Sequence, residues 1–170
     1  MVRAWYLNEE EIKNVKEMNL SLPPKYVDLE DLYALCGAEF YEMNGQDEFQ
    51  KFRQEKELNY EMKHTEFVRS DLTSTFDEHI LTEDVYYLTV EGSGYLDVRD
   101  SNERWIRIEM VEKDLVCVKK HALRRFTEDK NVSCGLRHVE LYSGKIYAKD
   151  AKIKCYKGRQ KYKTAVNKVK

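Results

Sequence analysis

DEHILTEDVYYLTVEGSGYLDVRD, residues Asp77–Asp100, sets two runs of strand-forming residues on either side of a glycine-rich triplet. Tyr86 to Val90 and Tyr95 to Val98 are rich in β-branched and aromatic side chains. Gly92-Ser93-Gly94 between them supplies the positive φ angles that a tight turn requires, so the pattern predicts a buried β-hairpin. Ahead of it, His79, Leu81, Glu83, Val85 and Tyr87 recur at period two. An extended chain would turn all five side chains to one face, which is the candidate functional face.

The wider composition sets limits on this reading. A chain of 170 residues with 42% hydrophobic and 12% aromatic content suits one domain with its own core. The 29 basic and 31 acidic residues give a formal charge of -2, which offers no general attraction for nucleic acid. No apolar run is long enough to cross a membrane, and MVRAWYLNEEE lacks the apolar centre of a signal peptide. A soluble cytoplasmic protein, with the nucleus also open to it, and a monomer are therefore expected. Cys36, Cys117, Cys134 and Cys155 stand far apart without zinc-like spacing, so reduced thiols are expected.

In chain order, Val2, Ala4, Trp5 and Tyr6 suggest an outer strand, and Asn8 to Met18 a short solvated helix ended by Pro23-Pro24. Asp28 stands where an N-cap would, and Leu29, Leu32, Tyr33 and Cys36 keep helical spacing up to Gly37. Ala38 to Met43 reads as a strand. Asp47 to Leu58 reads as a charged helix that buries Phe49 and Phe52. Beyond Asp71 the pattern is strands and turns: Trp105 to Met110, Leu115 to Val118, Arg125 to Thr127 and Leu136 to Tyr142. Short antiparallel strands at this spacing favour a sandwich or small barrel.

GSGYLDVRD at Gly92–Asp100, followed by Glu103-Arg104-Trp105-Ile106-Arg107-Ile108, resembles the centre of the acireductone dioxygenases of the cupin superfamily. The opening MVRAWYL is similar, as are the Lys113-Asp114 turn and Arg125-Phe126-Thr127. The resemblance runs from Met1 to about Thr127. It implies a mainly β cupin fold, a jelly-roll-like barrel over residues 1–148 with a few short N-terminal helices. It also implies an iron or nickel centre and oxidative cleavage of acireductone in methionine salvage.

The family pattern has H-x-H-x-x-x-E ahead of the glycine triplet and a further His two residues before Phe-Thr. Counted without a gap, these positions are His79, Leu81, Val85 and Arg124 here. Only His79 keeps a ligand. Leucine and valine donate no electron pair and arginine brings a positive charge, so the usual metal set cannot assemble and no cofactor is expected. Glu83 could replace Val85 only if the strand slid by two residues. His121 could approach the barrel mouth, although such a residue is ordinarily exposed. Tyr87 stands where the family carries an arginine, which removes an expected substrate contact.

The resemblance therefore implies an inactive relative, a pseudoenzyme with no catalytic residues. A weakly active dioxygenase using His79 and His121 is one alternative, and a binding or scaffold protein with a protein partner is another. His64 and His138 have no clustered neighbours in sequence and receive no role. If Arg124 points into the barrel it needs a carboxylate partner, and Glu83 is the candidate. Lys149 to Lys170 carries nine Lys or Arg against one Asp, a basic tail that reads as a solvated end or as a contact for an acidic partner.

Overall fold

A computed structural model of the chain describes residues 4–12, 14–61, 78–131, 136–143 and 153–155. His64, Cys134 and most of the basic tail lie outside them. The strands are β1 (Ala4–Tyr6), β2 (Tyr26–Val27), β3 (Ala38–Glu42), β4 (Leu58–Glu61), β5 (His79–Leu81), β6 (Val85–Arg99), β7 (Trp105–Val111), β8 (Asp114–Val118), β9 (Arg124–Glu128), β10 (Leu136–Ser143) and β11 (Ile153–Cys155). Two short α-helices, α1 (Leu32–Cys36) and α2 (Gln46–Glu55), interrupt the first half. All described pairings are antiparallel, and the sheet curls into a cupin-like half-barrel.

The expected hairpin at Gly92 does not form. β6 is a single strand of 15 residues that belongs to two layers. Its first half pairs with β8 and β10, and its second half with β7 and β9. Gly92, at φ +81°, marks the corner. Beside it the register with β10 slips, because Arg137 faces Glu91 and His138 faces Thr89, leaving Val90 as the extra residue of a β-bulge. One extra residue reverses which side chains face inward. Val85 and Tyr87 point to the interior before the bulge, and Leu96 and Val98 after it. Gly94 is needed for a different reason. A Cβ there would stand 2.4 Å from the Thr127 carbonyl oxygen and 2.9 Å from Leu136 Cδ2, so β9 and β10 can close only over a bare α-carbon.

The interior is apolar over most of its length: Ile106, Ile108 and Met110 of β7 and Val116 and Val118 of β8 meet Leu96 and Val98. Each such side chain contributes roughly 1.5–3 kcal/mol when fully buried. The alternate residues of β6, β8 and β10, among them Tyr86, Leu115, Cys117 and Leu141, face outward and are covered by α2. Phe49 is buried there, and Phe52 packs 4.7 Å from Tyr41 and 5.9 Å from Tyr86. α2 ends at Glu55 and not at the expected Leu58, because Leu58 begins β4 against β10. Cys36 and Cys117 are free thiols, both buried.

Two further expectations about the first half are corrected. Asn8 to Met18 is not a helix: only Glu9–Glu11 makes a 3-10 turn. The carbonyls that a helix would use internally serve the sheet instead. Val15 and Glu17 accept hydrogen bonds from Arg107, and Met18 accepts one from Trp5 Nε1 at 2.8 Å. Asp28 makes no side-chain cap; the chain enters α1 through a 3-10 turn at Leu29–Asp31. Leu32 and Cys36 are buried, whereas Tyr33 is exposed, and Gly37 at φ +72° closes the helix by donating to the Tyr33 carbonyl.

The segments that carry the family resemblance meet on the outer face of the second layer. Asp97 of GYLDVRD accepts from Arg107 Nε at 2.7 Å and Nη2 at 2.9 Å, and from Arg125 Nε at 2.9 Å. Arg107 also lies over the Tyr95 ring and Arg125 over the Trp105 ring, with Cζ to centroid distances of 4.8 and 4.1 Å. Asp100 fixes the next turn by accepting the backbone N–H groups of Asn102 and Arg104. These signature residues are thus bonded to one another and not to the interior.

Candidate functional site

β5, β6, β9 and β10 bring one set of side chains together at an end of the interior. Leu81 is 3% exposed, and Val85 and Arg124 are 0% exposed. His79, half-buried, lies directly opposite Arg124 in the register of β5 and β9. The alternation expected through Glu83 breaks there, because β5 stops at Leu81 and Thr82–Asp84 form a bend before β6. His121 is exposed at φ +66°, where its backbone N–H donates to the Leu81 carbonyl, so its position in the turn is set by the main chain.

Arg124 is inward and buried, but its partner is not Glu83. Nη1 donates to the Tyr87 hydroxyl at 3.1 Å, Nη2 to the Lys119 carbonyl at 2.9 Å and Nε to the Ala122 carbonyl at 3.2 Å. Among the described residues no carboxylate stands within ion-pair distance of this guanidinium. The turn between β8 and β9 wraps its carbonyls around the cation, which removes any need for a side chain from the bend at Glu83. Burial pushes the Tyr87 hydroxyl up to about 12 against the opposing pull of Arg124, so it stays protonated at neutral pH.

β10 adds residues to which the sequence reading gave no role. His138, Glu140 and Tyr142 recur at period two, and Glu140 faces Tyr87 across the pairing of β10 with β6. His138 is 2% exposed, stacked 4.9 Å from Phe126 and edge-on 5.4 Å from Tyr87. Its Nε2 is 3.8 Å from one oxygen of Glu140, whose other oxygen accepts the Tyr142 hydroxyl at 3.1 Å. The signal was present in Leu136 to Tyr142, where strand alternation places these three polar side chains on one face.

An iron or nickel ion needs several nitrogen or oxygen donors at fixed geometry. These residues do not fit one: Leu81 and Val85 are hydrocarbon, and Arg124 is a cation whose three guanidinium nitrogens each donate to an oxygen. Among the described residues no group of three or more His, Cys, Asp or Glu is placed to hold a metal. None of their helices is long and apolar enough to cross a membrane.

The curled antiparallel layers and the inward-facing end of β5, β6 and β9 define a cupin-like protein. The chain belongs to the acireductone dioxygenase family: the ARD/ARD' family model matches residues 3–138. It is 36% identical over 143 residues to the acireductone dioxygenase of Drosophila melanogaster, covering 77% of this chain and 76% of that one. The Xenopus tropicalis protein of the same name is 34% identical over 145 residues, covering 77% and 78%. Among solved structures, the acireductone dioxygenase from Bacillus anthracis with a cadmium ion in its active centre matches with a TM-score of 0.59. It is 15% identical, over 86% of this chain and 98% of that one, and so supports the fold.

Proposed function

We propose that this chain is a non-catalytic member of the acireductone dioxygenase family, a pseudoenzyme that keeps the cupin scaffold and has lost the metal chemistry. The observation that carries this reading is Arg124, whose guanidinium is buried against Tyr87, Lys119 and Ala122 at one of the family's ligand positions. Two further positions, Leu81 and Val85, are packed into the apolar core. Catalysis by a bound metal requires a donor set with an open position, and hydrocarbon supplies neither.

The test is metal content and turnover in one preparation. After incubation with Fe(II) or Ni(II) and desalting, the protein should retain well under one equivalent of either and should consume no oxygen in the presence of acireductone. An active family member serves as the control. The triple variant Leu81→His, Val85→Glu, Arg124→His should gain metal affinity over the parent if the positions are correctly matched. Stoichiometric metal and oxygen uptake in the unaltered protein would overturn the proposal.

A further inference from the structure

Asn44-Gly45 is the chain's one Asn-Gly pair among eight asparagines. Such a pair can modify itself, because the asparagine side-chain carbonyl lies one ring closure away from the next main-chain nitrogen. A side chain on the following residue, burial, or a hydrogen bond on that nitrogen opposes the closure, and none applies at this turn. Gly45 has no Cβ to obstruct the approach, and even an added one would meet nothing within 4 Å. Both residues are exposed, and Gly45 borders an open hollow of about 290 Å³ between α2, Leu88–Val90 and the Glu112-Lys113 turn. Among the described residues no acceptor holds the Gly45 N–H and no partner holds the Asn44 side-chain amide.

The main chain on either side of the pair is tethered to α2. The Asn44 N–H donates to Glu48 Oε2 at 3.0 Å, and the Gly45 carbonyl accepts the Phe49 N–H at 3.1 Å. Phe49 is the buried anchor of that helix, packed with Met43 and Leu88. The reacting atoms lie between these two bonds. Any lengthening of the chain there must be taken up by the start of α2.

We propose that Asn44 is a self-modification site, converted through a succinimide to aspartate and isoaspartate with water as the only co-reactant. The Gly45 nitrogen gives its proton to solvent hydroxide and bonds to Asn44 Cγ. The Cγ–Nδ2 bond breaks, and ammonia leaves with a proton taken from water. Water then opens the ring. Cleavage between Cγ and the Gly45 nitrogen leaves aspartate. Cleavage between the main-chain carbonyl carbon and that nitrogen leaves isoaspartate, whose chain runs through Cβ and Cγ and is one carbon longer. Either product adds a negative charge beside Asp47 and Glu48, and isoaspartate also displaces the start of α2 that seats Phe49.

The test incubates the folded full chain at physiological pH and temperature in water enriched in oxygen-18, then maps its peptides by fragmentation that separates aspartate from isoaspartate. Asn44 is expected to lose its amide ahead of the other seven asparagines and to take up oxygen-18 in both products. Its rate should be comparable to that of the chain unfolded in guanidinium chloride. Gly45→Ala should slow the loss by about tenfold or more without moving the urea midpoint. In the isoaspartate fraction the Phe49 amide should exchange with solvent faster than in the parent. An Asn44 amide that survives in the folded chain while it is lost in the unfolded one would overturn the proposal, as would a Gly45→Ala protein that reacts at the parent's rate. Parent-like exchange at Phe49 in the isoaspartate fraction would overturn the displacement of α2.

Discussion

Replacing Asp97 by asparagine should cost more than any other isosteric change on the outer face. The carboxylate is buried and accepts two bonds from Arg107 and one from Arg125. Asparagine keeps the shape, presents an amide NH2 to one arginine and removes the charge that both guanidinium groups face. Removing one partner of a buried ion pair costs about 3–5 kcal/mol, against a total stability of roughly 5–15 kcal/mol for a domain. With a urea dependence of about 2 kcal/mol per molar, the midpoint should fall by about 2 M. Burial alone would raise the Asp97 carboxyl, but Arg107 and then Arg125 outweigh it and hold the group below its ordinary 3.8. Its contribution is therefore complete above that value and is lost as pH falls through the lower folded value. Urea titrations of Asp97→Asn, Arg125→Met and the double variant at pH 7 give both the loss and the coupling. A loss under about 1 kcal/mol, or strictly additive effects, would refute the ion-pair account.

Gly94→Ala should destabilise by at least about 3 kcal/mol or prevent folding, because the new methyl meets backbone of β9. Gly45→Ala, whose Cβ would meet nothing within 4 Å, should change the denaturation midpoint little. Asp114 is buried in the turn between β7 and β8, with Oδ2 accepting the Val111 N–H at 2.8 Å. Burial foremost pushes its carboxyl up to about 6. A raised carboxyl favours the protonated folded form, so its ionisation removes stability as pH rises from 3.8 through 6. Asp114→Asn keeps an acceptor for Val111 and should gain roughly 1–2 kcal/mol relative to the parent at pH 8 compared with pH 4. Thermal melts at the two pH values check this, and a difference independent of pH would contradict it.

The sequence showed most strands beyond residue 78 because alternation at period two survives wherever one face is buried. It misled at Gly92-Ser93-Gly94, where a glycine triplet has two uses with the same local signature. One reverses the chain; the other bends a strand between layers, and only the partners of each half distinguish them. Asn8 to Met18 misled because helix propensity counts local bonds, whereas these carbonyls are drawn to Arg107 and Trp5 far along the chain. At the candidate site, the hydrocarbon character of Leu81 and Val85 and the charge of Arg124 were legible as chemistry. The partner of Arg124 was not, because main-chain carbonyls carry no residue identity and the turn at Lys119–Ala122 had no sequence mark of its aim. His138 was given no role because its neighbours Phe126 and Tyr87 come from other strands.

Because β6 serves both layers without a break, neither layer can open alone. Peeling β8 or β10 from its first half frees the backbone that holds the corner at Gly92, and with it the register of β7 and β9. Amide protons of Tyr86 and Leu96, on opposite sides of that corner, should exchange with solvent through one shared opening whose free energy is that of the whole domain. The same continuity delays assembly, since β6 is completed only by β10, a partner lying far along the chain.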